Sequence, residues 1–288
     1  MVRAIFLYFM FFVCNCFSYQ YDLSICTIFR DEAPYLKEWI EYHRLLGVQH
    51  FYLCNHVSQD NYLEVLDPYI KKGIVELTES SIGNVDFYHF CFGVQIGWFN
   101  HCISKAKDES KWIAFIDSDE FLNLVQGNSL VEFLKDYEEF GALGVNWLMF
   151  GTSNVEKIIS DRLMIEQLLL CSHTDHFNTY IKSIVRADRA TGFHSPHYSG
   201  FMPPYYLVNT DKQQILNDRT GYVQYNKLFI NHYWTRDEDY LEYVKIPRQI
   251  MFGSTAETVR ERNDEMNRNL DMSIQRFVPA LRKRMGLD

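Results

Sequence analysis

The sequence predicts an α/β fold built on a mostly parallel central sheet. Three observations lead there. Short apolar runs alternate with segments of helical period through the first half, and the leading runs have no polar face. Polar and acidic residues cluster where those runs end. Right-handed crossovers then bring the C-terminal strand ends to one edge, where ligands of open α/β sheets bind.

Residues 23–29 form a near-continuous apolar stretch, as expected of a strand covered on both faces. Pro34 opens a segment in which Leu36, Trp39, Ile40, His43 and Leu46 recur at helical spacing, and Gly47 closes it at C′. Residues 48–53 read as a second strand. Asp60 is placed to cap a helix running to Gly73, and residues 74–77 give a third strand. A helix is expected over 93–107 and a fourth strand over 112–116, which runs straight into Asp117-Ser118-Asp119-Glu120. Ser129 and Glu132 have capping-box spacing ahead of another helix, and residues 144–150 return as a strand. The alternation then loosens. Residues 158–170 and 255–284 read as helical, and 180–185 and 227–230 as strands.

Of the 288 residues, 47% are hydrophobic and 23% charged, which suits an ordinary globular core. The net charge of −9, without a basic stripe, argues against a reader of phosphate backbones, so no nucleic-acid partner is expected. Arg3, the apolar run at 4–14 and the small residues Cys16 and Ser18 have the layout of a secretory signal or short anchor. The run falls short of the ~20 residues of a spanning helix. Residues 1–18 are therefore read as a leader directing the chain to a secretory or envelope location, with membrane association through that segment, and 19–288 as a single domain. Cysteines 26, 54, 91, 102 and 171 contain no C-x-x-C pair, which excludes a zinc ribbon and leaves disulfide content undetermined.

Asp117 and Asp119 follow an apolar strand at spacing two, so both carboxylates project from one turn at the ligand-binding edge. Two close anions repel unless a proton or a cation intervenes. Oxygen ligation beside a diphosphate suits Mg²⁺ or Mn²⁺, which keep positions open for substrate phosphates. Such a site stabilises the negative charge of a leaving group, and Lys182, Lys245 or Arg248 supply a second positive contact. A base must also take a proton from an attacking hydroxyl. Asp237 and Glu238 are the candidates, with His197 behind them; the same acidic turn equally reads as a helix N-cap. His43 and His101 fall within helical patterns, as packed or surface residues.

The motifs also occur in a recognisable order: Ile28-Phe29-Arg30-Asp31-Glu32, Glu38-Trp39-Ile40-x-Tyr42-His43, Asn55-x-x-Ser58-x-Asp60 and Ala114-Phe115-Ile116-Asp117-Ser118-Asp119-Glu120-Phe121. Trp147-Leu148-Met149-Phe150-Gly151, Lys182-Ser183-Ile184-Val185-Arg186 and Ile230-Asn231-His232-Tyr233 follow. Over roughly residues 22–250 the chain resembles glycosyltransferase family 92. The resemblance implies a GT-A (Rossmann-like) nucleotide-diphospho-sugar transferase fold, Mn²⁺ or Mg²⁺, a nucleotide-sugar donor, and a glycan, lipid or protein-linked acceptor, with inversion at the anomeric carbon. It implies a nucleotide-binding half at about 22–125 and an acceptor half at about 126–288. Asp117, Asp119 and His232 would be the metal ligands. Arg30, Asp31, Glu32, Asn55, Ser58, Asp60, Asn100 and Lys182 would line the donor pocket, with Asp31 standing where the family usually carries Asn.

Two other readings share these features. A haloacid-dehalogenase-like phosphatase also ends a strand in Asp-x-Asp, but requires Thr or Val where Phe121 stands. A catalytically lapsed carbohydrate-binding protein would keep the fold without turnover.

Overall fold

The computed structural model describes residues 19–287, so the leader expected at 1–18 lies outside the described residues. Among the described residues, no helix is long and apolar enough to cross a membrane. Strands β1 (Tyr21–Phe29), β2 (His50–Asn55), β3 (Val75–Glu79) and β4 (Ser110–Phe115) run parallel in the spatial order β3-β2-β1-β4. Alternate side chains of β1 and β2 enter two cores on opposite faces. Leu23, Ile25, Phe51 and Leu53 pack with Trp39 and Ile40 on one side, and Cys26, Ile28, Tyr52 and Cys54 with Phe99 on the other. Burial on both faces explains the lack of a polar face in these runs.

The second half adds β5 (Glu120–Leu124), β6 (Ala142–Phe150), β7 (Leu170–Ser172), β8 (Ile181–Val185), the hairpin strands β9 (Ala190–Phe193) and β10 (Ser199–Phe201), then β11 (Leu207–Val208), β12 (Leu228–His232) and β13 (Asn269–Leu270). β8 inserts antiparallel between β4 and β6, which turns the parallel half into a mixed eleven-stranded sheet. β12 is held twice, antiparallel to β5 and parallel to β6, with His232 opposite Glu120 on one side and Met149 on the other. That double ladder brings a residue from late in the chain to the loop after β4.

The helix Ala33–Leu45 ends as expected, with Gly47 at a φ of 98°. One expectation gains a second role and three change. Asp60 accepts the Tyr62 N–H at the start of the helix that follows it, at 3.4 Å, and through its other oxygen the Ala33 N–H at 2.7 Å, so one carboxylate serves the first turns of both helices. The helix expected from residue 93 becomes a π-turn at Phe90–Gln95 leading into Ile96–Ala106. Residues 158–170 form one turn, Met164–Gln167, because Leu163, Met164, Ile165 and Leu168 are all buried and leave no polar face for a surface helix. The long helix over 255–284 is interrupted after Ala256–Met266, where Asn269–Leu270 pairs with β7, and resumes at Val278–Met285. Cysteines 26, 54, 91, 102 and 171 are buried and unpaired.

Candidate functional site

The turn after β4 carries the acid pair, and its two carboxylates have different partners. Asp117 Oδ2 accepts from Lys182 Nζ at 2.7 Å and Oδ1 from Gln95 Nε2 at 2.9 Å. Asp119 Oδ1 lies 3.5 Å from His232 Nε2. Asp117 remains 32% exposed, whereas the Lys182 side chain is 1% exposed. Burial works against the Lys182 charge, yet Asp117 and Glu120 hold its pKa above the usual lysine value. Burial pushes the Asp119 carboxyl up, but the His232 ring, Arg236 and Lys245 outweigh it and hold the acid below its ordinary range.

Glu120 is the residue that sequence reading did not single out. It is fully buried, with Oε2 accepting the Asp117 N–H at 3.0 Å and Oε1 3.8 Å from Lys182 Nζ. Burial raises its pKa against the pull of Lys182, with Asp117 and Asp119 adding to the rise. The available signal was position: an acid that opens an otherwise mostly apolar strand. Gln95 gave no such signal; it ends the π-helical segment Phe90–Gln95 and reaches Asp117 from there. Arg236 was likewise unmarked. It is almost wholly buried, donating to Glu32 at 2.7 Å and to the Ser118 carbonyl at 3.2 Å, and it fastens the loop after β1 to the acid-pair turn.

The residues expected in the nucleoside pocket meet at the adjoining ends of β1 and β2. Asp31, at a φ of 55°, accepts the Gln59 N–H, and its own N–H donates to Ser58 Oγ. Asn55 accepts the Ser58 N–H and donates to Glu79, and Asp60 reaches Ala33. Arg30 donates to Asn84. These bonds join the two loops into one rim. Glu32 lies beneath it, in contact with Arg236. Asn100 is committed elsewhere: its amide binds both backbone groups of Phe193 in β9.

The expected bases are also engaged. Asp237 accepts the Ile158 and Tyr240 N–H groups, capping the turn that follows, as the alternative cap reading had it. Glu238 accepts from the Thr152 hydroxyl through Oε1. His197 bonds the Ile181 carbonyl through Nδ1 and packs against Trp147 and Tyr180. Burial and the nearby Lys182 push its pKa down to about 3, so it is neutral at physiological pH.

Among the described residues, no three His, Cys, Asp or Glu side chains converge tightly enough to form a complete protein cage for a metal. Asp119 and His232 do lie within reach of a shared cation. Two protein ligands, with substrate phosphates and water completing the shell, suit Mg²⁺ or Mn²⁺. The His232 Nδ1 and Glu120 Oε1 atoms are buried without hydrogen-bond partners, 4.0 Å apart, which sets a carboxyl group behind the ring. Asp117 accepts one hydrogen bond on each oxygen, from Lys182 and Gln95, which orders the turn, and at 32% exposed keeps acceptor capacity on its open side.

A parallel α/β half whose fourth strand presents an acid pair opposite a late-strand histidine defines a GT-A-type transferase fold. The chain belongs to glycosyltransferase family 92, whose sequence profile matches residues 20–277. A glycosyltransferase family 92 protein of Oryza sativa subsp. japonica is 32% identical over 142 residues, covering 48% of this chain and 23% of that protein. Galactan β-1,4-galactosyltransferase GALS3 of Arabidopsis thaliana is 28% identical over 130 residues, covering 42% of this chain and 25% of that protein. The matched stretches thus span about a quarter of the length of these relatives. Among solved structures, S. aureus TarS 1-349 in complex with UDP overlaps 58% of this chain and 47% of its own, at 11% identity and a TM-score of 0.38.

Proposed function

We propose that the protein is a metal-dependent, inverting glycosyltransferase that moves a sugar from a nucleotide-sugar donor to a glycan or other glycoconjugate acceptor. The observation that carries this reading is the 3.5 Å approach of Asp119 to His232 at the C-terminal edge of the sheet. Family membership supports the reaction class, and the galactan galactosyltransferases among the relatives support a hexose donor and a glycan acceptor.

Asp119 and His232 would hold Mn²⁺ or Mg²⁺, which when bound supplies Lewis-acid stabilisation to the departing diphosphate. The chain's own residues do the rest. Lys182 neutralises Asp117 and keeps the turn from opening under mutual repulsion of its acids. Arg236 holds the Ser118 carbonyl and Glu32, so donor rim and acid pair move as one unit. Arg30, Asp31, Asn55, Ser58 and Asp60 form the rim that faces the nucleoside. Glu238 keeps one carboxylate oxygen outside hydrogen bonds and is the candidate to take the acceptor proton. The leader-like residues 1–18 support a secretory or envelope location for this activity.

The test is a panel of nucleotide-sugars and glycan acceptors incubated with Mn²⁺, with nucleoside diphosphate release as the readout. Metal-dependent release is expected, abolished by chelator. Activity indifferent to chelator would overturn the metal assignment, and no release from any donor would overturn the transferase reading.

A further inference from the structure

Lys245 is a buried cation without an anion. It is 7% exposed, and among the described residues it makes neither an ion pair nor a hydrogen bond; its one contact of note is the Trp234 ring, 4.5 Å from Nζ. Asp119 and Glu32 are the acids whose fields reach it, but each already has a partner, His232 at 3.5 Å and Arg236 at 2.7 Å. Arg248, one turn further along and half-buried, is likewise unpaired. Burial, reinforced by Arg248 and Arg236 against the pull of Asp119, lowers the Lys245 pKa to about 8. A desolvated ammonium held this way is costly unless a counter-ion arrives from outside.

We propose that Lys245 and Arg248 form the anion site for the diphosphate of the donor, beside Asp119. The identity of the ligand rests on the nucleotide-sugar reading; the existence of the anion site does not. Lys182 is unsuited to this contact because Asp117 and Glu120 already compensate it. Arg248 adds a planar fork matched to phosphate oxygens, and Lys245 a point charge with three donors. Lys245 closes a π-helical segment, Leu241–Lys245, a kind of local irregularity frequent at functional sites.

Titration calorimetry of the full chain with inorganic pyrophosphate, in chelator so that no metal takes part, tests this. Wild type should bind pyrophosphate more tightly than sulfate. Lys245→Met and Arg248→Gln should each weaken it roughly tenfold to a hundredfold, while Lys245→Arg should retain it. Half-buried Arg248 carries the test if the Lys245 variant fails to fold. No pyrophosphate binding by wild type, equal binding of sulfate, or unchanged affinity in the folded variants would overturn the proposal. Donor turnover measured in parallel separates the two readings. Pyrophosphate binding through Lys245 without sugar transfer refutes only the transferase, and sugar transfer with unchanged pyrophosphate affinity in both variants refutes only this site.

Discussion

Glu120 Oε1 lies 4.0 Å from His232 Nδ1, and both atoms are buried without a hydrogen-bond partner. The two residues are register partners across the β5–β12 ladder, so the spacing is set by backbone pairing. A carboxylate that accepts the far N–H of a ligating imidazole fixes which ring nitrogen carries the proton and leaves the other lone pair for the cation, a role that Glu120 would take by a small closing of the 4.0 Å gap. Here the lone pair of Nε2 would face Asp119.

Glu120→Gln should therefore weaken Mn²⁺ binding by about 10–100-fold, the usual cost of losing such a partner. Electron paramagnetic resonance of free Mn²⁺ reads this without any substrate. Unchanged Mn²⁺ affinity in a folded variant would remove Glu120 from the site.

The two aspartates should separate cleanly by measurement. Asp119→Ala removes a proposed ligand and should lower turnover by at least ~10²-fold per folded molecule, beyond any loss of stability from removing the charge that His232, Arg236 and Lys245 favour. Asp117→Ala leaves Lys182 buried without its closest counter-ion. Its stability cost, discounted because Asp117 is 32% exposed, should be about 1–3 kcal/mol. Calorimetric melting beside turnover distinguishes them, and equal losses in both properties for both variants would contradict the division of labour.

The parallel half of the fold was legible because its strands are covered on both faces and its turns carry their own chemistry, Gly47 among them. The acid-pair turn was legible for the same reason: local sequence ends β4 and presents Asp117 and Asp119. The insertion of β8 between β4 and β6 depends on pairing between distant segments and leaves no local trace. Capping at Asp60 was legible toward the helix that follows, where it accepts the Tyr62 N–H, but its shorter bond to Ala33, 27 residues earlier in the chain, has no local trace. Of the site, the residues that touch no expected ligand stayed hidden. Glu120, Gln95 and Arg236 act through other side chains, and only the folded arrangement shows what they hold.

His43 sits in the core with a defined protonation state. Its Nδ1 donates to the Trp39 carbonyl at 2.8 Å, and its Nε2 accepts the Leu122 N–H at 3.3 Å. The ring is fully buried, and desolvation lowers its pKa to about 3, against a partial rise from the Trp39 carbonyl. Between about pH 3 and 6.5 the unfolded chain binds a proton that the folded chain refuses, so stability falls as pH falls through that window. His43→Gln should flatten this slope in urea unfolding curves recorded from pH 7 to pH 4. A slope unchanged by the substitution would mean that other groups govern the acid limb.

Asp237 offers a choice between scaffold and chemistry. Its carboxylate accepts the Ile158 N–H at 2.7 Å and the Tyr240 N–H at 2.8 Å, and the residue is 5% exposed. With both oxygens engaged, removal should act on folding: Asp237→Ala orphans two backbone donors and should cost about 1–3 kcal/mol. Asp237→Asn keeps an acceptor for one of them and should recover part of that loss. Turnover per folded molecule should stay within severalfold of wild type in both variants. A general base would behave in the opposite way, with Asp237→Asn losing ~10²-fold or more in turnover while melting normally. Circular dichroism melting alongside active-site-normalised rates decides between the two, and the second pattern would return Asp237 to the reacting centre.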